Sequence, residues 1–288
     1  MDLTTLLLLL AGGALTGFLA GFFGVGGGII LVPILLAYLS ATGASSLVAT
    51  HIAFGTSLLV VIFTSLSSAY EYRRNGHVVW RAVTIIGIGS VVGAWLGSGL
   101  ASELQGETLQ KIFAGVVVVA ALRLLSEQRK PKGEEEPRMG IAGLSLAGLV
   151  VGVVSSLAGV GGGVFSIPIM YSLLHFPLKK ALGTSSATIV ITALAAVTGY
   201  IVRGWGSPLL PPYTIGYVAY LAALPLAVTS IPLARVGASL AHKTRPQDQG
   251  RPAPEVLRRI PPCRRGEDVF FPVIALRVPA PSAVSCLP

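Results

Sequence analysis

Runs of apolar residues separated by short polar stretches recur along most of this chain. They lie at about 3–23, 29–39, 46–70, 79–101 and 108–126, then at about 139–158, 164–176, 181–202 and 213–236. A helix needs about 20 apolar residues to cross a bilayer. Most of the runs therefore predict membrane-spanning helices, while 29–39 and 164–176 are too short to span alone. Between the two groups lies SEQRKPKGEEEPR, Ser126 to Arg138, with mixed charge, two prolines and no apolar period. It reads as a linker.

The two groups repeat each other. Gly24 to Pro33 reads GVGGGIILVP and Gly159 to Pro168 reads GVGGGVFSIP, 135 residues apart. GTSLLVVIFTSL (Gly55 to Leu66) matches GTSSATIVITAL (Gly183 to Leu194) at an offset of 128, and GSGLA (Gly97 to Ala101) matches GASLA (Gly237 to Ala241) at 140. The offset changes where loops fall, as in a duplicated unit. The expected fold class is all-α: a polytopic membrane protein of two homologous, inverted helical repeats with glycine-broken helices. Its expected divisions are a first membrane repeat at 1–126, a polar linker at 127–138, a second membrane repeat at 139–244 and an atypical Pro/Arg-rich tail at 245–288.

The match fails abruptly after about Thr244. The helix Leu109 to Leu125 should have a counterpart near 249–265, where the chain instead reads QGRPAPEVLRRIPPCRR. Proline at that density excludes a membrane helix. An altered reading frame accounts for so sudden a failure, and a disordered basic tail is the other reading.

Composition places the surroundings in lipid. Hydrophobic residues make up 53% of the chain and charged residues 11%, with mean hydropathy +0.77, against roughly 25% charged in soluble domains. No basic stretch precedes the first apolar run, where Asp2 is the only charge, so that run reads as a membrane helix and not a cleaved signal. The net charge of +9 sits in short loops and the tail, which argues for membrane topology and lipid headgroups and against nucleic acid. Cys263 and Cys286 match no metal or redox spacing, and no cofactor is expected.

Loop charge supports inversion. Arg73, Arg74 and Arg81 mark one first-half loop as cytoplasmic, and the linker with Arg129, Lys130 and Lys132 lies on the same side. In the second half the basic loops are Lys179 with Lys180, and Arg235 to Arg245, which correspond to outward-facing loops of the first half. Equivalent loops on opposite sides need an odd number of segments per half. Five fits if each short segment crosses, whereas a re-entrant short segment changes the parity.

A glycine cluster inside apolar sequence predicts unwound backbone, and broken helices at membrane depth mark binding sites in carriers. The half-helix that follows exposes N–H donors and its positive dipole end, an anion site that needs no charged side chain. The candidate substrate-binding residues are Gly24, Gly26, Gly27, Gly28, Gly159, Gly161, Gly162 and Gly163. Pro33 and Pro168, five residues past each cluster, would bend or loosen the half-helix. Thr56, Ser57, Thr184, Ser185 and Ser186 offer hydroxyl donors, against the alternative of back-bonding to the preceding helical turn. GxxxG spacing at Gly13, Gly17 and Gly21, and at Gly89, Gly93 and Gly97, reads as helix packing. His51 and Lys179, opposite each other in the repeat, read as interfacial topology charges ahead of anion attractors at a cavity mouth. No HExxH, GxxxxGK[ST] or GxSG motif is present, and no carboxylate lies clearly within an apolar run, so neither an enzyme nor a buried proton relay is supported.

On GFFGVGGGIILVPILL (Gly21 to Leu36), its echo SLAGVGGGVFSIPIM (Ser156 to Met170) and the paired GTS triplets, the chain resembles the sulfite exporter TauE/SafE family, also called the four-toluene sulfonate uptake permease family. The resemblance covers about residues 3–244. It implies a plasma-membrane carrier of a bacterium or archaeon for small anions, mostly sulfur-containing: sulfite, sulfoacetate, other sulfonates and sometimes carboxylates. The expected function is a secondary transporter working by alternating access, with an anion channel through the same glycine breaks as the alternative. Its expected partners are a small anionic substrate and the lipid bilayer; a coupling ion and a homo-oligomer are left open.

Overall fold

The structure, a computed structural model, describes residues 3–126, 140–173 and 176–244. The polar linker and the Pro/Arg-rich tail fall outside the described residues. Nine α-helices account for nearly all of the described chain: α1 Leu3–Phe23, α2 Gly28–Ala41, α3 Ser46–Arg74, α4 Trp80–Glu103, α5 Gly106–Ser126, α6 Ile141–Ala158, α7 Gly163–Pro168, α8 Leu178–Gly204 and α9 Tyr220–Thr244. Six of them, α1, α3, α4, α6, α8 and the part of α9 from Tyr220 to Ala241, are long and apolar enough to cross a membrane. Outward-facing side chains such as Ile88, Leu8 and Leu224 are about two-thirds exposed, which suits a surface solvated by lipid. Trp80 and Trp205, at the ends of α4 and α8, are also exposed, the position aromatic residues favour at a membrane–water boundary.

The two short apolar runs are short helices. At 1.5 Å per residue the 14 residues of α2 reach about 21 Å, less than the roughly 30 Å hydrocarbon core. α2 folds back along α1: a Cβ placed on Gly27 would meet Thr16, and one placed on Gly12 would meet Ile34. α2 continues through Pro33 to Ala41, whereas α7 ends at Pro168 and gives way to a π-helical turn at Ile169–Leu173. Proline cannot donate to the helical ladder, yet α2 stays α-helical through Pro33, so the two breaks are followed by different helices.

α3 and α8 cross at the centre and run antiparallel. Tyr217 stacks 5.1 Å from His51 near the start of α3, and its N–H donates to Tyr200 O near the end of α8. At the other end, a Cβ on Gly183 would lie 2.9 Å from Tyr72 Cβ. Around this pair α1 packs along α9 and α4 packs along α6. Glycine lets those backbones approach: Gly13 and Gly17 face Leu226 and Ser230, while Gly93 and Gly97 face Leu149 and Val153. A two-strand hairpin, β1 Thr214–Ile215 with β2 Val218–Ala219, pairs Thr214 with Ala219 and Ile215 with Val218. It lies over the start of α3.

Candidate functional site

Both glycine clusters break the chain in the same way. Gly24, Gly26 and Gly27 have φ of 68°, 85° and 87°, and Gly159, Gly161 and Gly162 have 66°, 84° and 90°. Three left-handed residues within four are tolerable only as glycine. The ladder of α2 restarts when Ile30 and Leu31 donate to Gly27 O at 3.1 and 3.2 Å, and that of α7 when Phe165 and Ser166 donate to Gly162 O at 3.2 and 3.0 Å. The N–H groups of Gly28 and Ile29, at the head of the 14-residue α2, consequently have no intrahelical acceptor.

The two breaks touch. A Cβ on Gly28 would strike the backbone of Val160, and a Cβ on Gly163 would lie 2.6 Å from Val25 Cα. Both breaks flank the same pair of side chains, Val61 of α3 and Ile189 of α8, each near the middle of its helix: Cβ atoms on Gly26 and Gly161 would lie 3.1 and 2.5 Å from Val61 Cγ1. Contacts made by one half recur in the other with partners shifted by 135, 128 or 140 residues. Tyr72 Oη donates to Gly21 O at 3.2 Å, and Tyr200 Oη to Ser156 O at 2.8 Å.

The GTS hydroxyls act as braces. Thr56 Oγ1 accepts from Ala219 N–H at 2.9 Å, and Thr184 Oγ1 accepts from Val79 N–H at 3.1 Å. Ser57 Oγ donates to Gly159 O at 2.8 Å, tying α3 to the opposite break. Ser185 Oγ lies 2.6 Å from Ser166 Oγ and 3.5 Å from Gly24 O, while Ser186 Oγ returns to Leu182 O at 2.9 Å. Ser57 and Ser185 are thus brought to the glycine breaks. Thr56 and Thr184 instead hold the segments at Ala219 and Val79, and Ser186 bonds within its own helix. His51 Nε2 donates to Ala101 O and Leu104 O at 3.0 and 3.1 Å, satisfying carbonyls at the end of α4.

Three hydroxyls that the sequence reading passed over also border the breaks. Thr16 Oγ1, Ser65 Oγ and Ser155 Oγ are buried and have no hydrogen-bond partner among the described residues. A Cβ on Gly26 would lie 3.3 Å from Ser65 Oγ, and one on Gly162 would lie 3.4 Å from Ser155 Oγ. Among the described residues no Asp, Glu, Lys or Arg side chain is buried. The interior polarity at the breaks therefore comes from hydroxyls and backbone, which offer hydrogen-bond donors without a buried cation to desolvate.

The sequence model described as "Sulfite exporter TauE/SafE" matches residues 9–252. This chain belongs to that family. Among relatives of the TauE/SafE chain, a probable membrane transporter protein of Haemophilus influenzae is 32% identical over 240 residues, covering 83% of this chain and 90% of the relative. One of Methanocaldococcus jannaschii is 28% identical with 83% and 88% covered, and the Bacillus subtilis protein YunE, also named a probable membrane transporter, is 29% identical with 67% and 77% covered. No solved structure matches the chain. Family membership and six membrane-length helices make this a multi-pass membrane transporter.

Proposed function

We propose that this TauE/SafE chain is a secondary carrier that moves a small anion, sulfite, a sulfonate or a related organic anion, across the plasma membrane by alternating access. One observation carries the reading: two glycine breaks meet at mid-length of α3 and α8, bordered by buried hydroxyls that have no partner, and by no buried charge, among the described residues. In this reading the halves are inverted repeats. The antiparallel crossing of α3 and α8 supports that, as does the recurrence of one bond with its partners exchanged, Thr56 with Ala219 and Thr184 with Val79. Contact between the breaks, Gly28 on Val160 and Gly163 on Val25, favours a carrier over a continuous pore. An inside-negative potential would assist export of a monoanion by about 2.3 kcal/mol per 100 mV.

Counterflow in proteoliposomes tests this. Sulfite or methanesulfonate trapped inside should accelerate uptake of the labelled anion, and flux should saturate with concentration. Flux that rises linearly without counterflow would establish a channel instead.

A further inference from the structure

We propose that the two breaks are not equal, and that the anion's charge is held at the first one by the α2 N-terminus together with Ser65 Oγ and Thr16 Oγ1. This rests on the carrier reading and names the side chains that perform it. α3 carries four hydroxyls within one turn and a half. Thr64 Oγ1 donates to Gly26 O at 3.1 Å, Ser67 Oγ to Ile231 O at 2.7 Å and Ser68 Oγ to Thr64 O at 2.9 Å. Ser65, only 2% exposed, has no hydrogen-bond partner for its hydroxyl among the described residues.

A helical serine always has the carbonyl three or four residues back within reach. One that declines that bond while buried has turned its hydroxyl away from its own helix. Ser65 Oγ is turned toward the break, 3.3 Å from the place a Cβ on Gly26 would take. Thr16, fully buried on α1, lies on the other side of the loop: its methyl Cγ2 is 2.5 Å from the Cβ position of Gly27, and its hydroxyl has no partner among the described residues. Leaving two such groups unpaired costs folding free energy. An oxyanion seated over the Gly28 and Ile29 N–H groups would satisfy both hydroxyls and the helix dipole at once.

The second break lacks these parts. By the repeat offsets Thr16 corresponds to Val151 and Ser65 to Ala193, both apolar, and Val151 Cγ1 stands at Gly162 where Thr16 Cγ2 stands at Gly27. α7 behind it is six residues long and passes into a π turn, against 14 residues in α2. Among the described residues, Ser155 is the one hydroxyl without a partner there.

The experiment measures methanesulfonate and sulfite affinity, with thermal stability in detergent, for the full chain and three variants. Ser65→Ala and Thr16→Val should each weaken anion affinity at least tenfold, while the anion-free protein melts at or above the wild-type temperature because an unpaired buried hydroxyl is gone. Ser155→Ala should shift affinity by less than threefold. Wild-type affinity retained in Ser65→Ala and Thr16→Val overturns the assignment, as does an equal loss in Ser155→Ala. A lower anion-free melting temperature in either first-break variant also overturns it, since the hydroxyl would then be bonded within the protein. If the wild-type chain binds neither probe, the carrier reading itself fails, and the assignment with it.

Discussion

Replacing Gly163 by alanine tests the contact between the breaks without disturbing a left-handed residue, because Gly163 is the first residue of α7 and has no positive φ. The new Cβ would lie 2.6 Å from Val25 Cα and from Val25 O, and 2.7 Å from Val25 C. Ordinary contact begins at 3.4 Å, so the loops must part by about 0.8 Å, and backbone cannot rotate aside as a side chain can. Overpacking of this kind costs about 1–3 kcal/mol, offset by about 0.5–1 kcal/mol from the lower entropy of alanine in the unfolded chain. A net loss of about 1–2 kcal/mol lowers the melting temperature by roughly 3–6 °C, readable by tryptophan fluorescence in detergent. Gly28→Ala on the other loop should behave alike. The double variant should lose about 1 kcal/mol less than the sum, since one separation relieves both clashes. Gly115→Ala on α5, with nothing within 4 Å of the added atom, is the control and should match or exceed wild type. A Gly163→Ala protein as stable as Gly115→Ala would refute the contact.

Thr56→Val and Thr184→Val should each cost about 1–3 kcal/mol, because each strands a backbone N–H, Ala219 or Val79, that the threonine now satisfies. Urea or thermal titration in detergent would show the two losses to be similar, and a twofold or larger disparity would argue against equivalent roles. Ser57→Ala should lose about 1 kcal/mol through the bond to Gly159 O, and sulfite affinity should fall less than in Ser65→Ala. His51→Leu should destabilise by about 1–3 kcal/mol by freeing the Ala101 and Leu104 carbonyls, whereas His51→Gln, which keeps a donor, should recover part of that in the same melt.

The helices and the breaks could be read from the chain; the polar contacts could not. Apolar run length placed the spanning helices and singled out the two segments that became α2 and α7, since bilayer thickness converts directly into residue number. Triple glycine in apolar sequence located the breaks, because no other residue supplies three left-handed positions in four. Hydroxyl roles are different, since a serine's partner depends on which helix lies opposite it. The paired GTS triplets drew attention through repetition, yet repetition marks what both halves require of the fold. Thr56 and Thr184 brace equivalent backbone segments, and Tyr72 and Tyr200 tie equivalent carbonyls. Thr16 and Ser65 have no polar counterparts in the second half, so a search guided by the repeat passes over them. Only their lack of a partner among the described residues brings them forward.

That distinction bears on how a carrier of this construction would work. Exchanging the roles of two structurally equivalent halves yields two conformations of nearly equal energy, because each broken contact is replaced by its counterpart. Perfect equivalence, however, would leave nothing to choose between them, and a ligand shifts such an equilibrium only by its differential affinity for the two states. The departures from the repeat are therefore where selectivity and direction have to reside: Thr16 against Val151, Ser65 against Ala193, Ala20 against Ser155, and a 14-residue helix against six residues and a π turn. All four lie at the breaks. In such a carrier the shared geometry of the halves would make the exchange cheap, and the unequal chemistry at their point of contact would let a bound anion bias it.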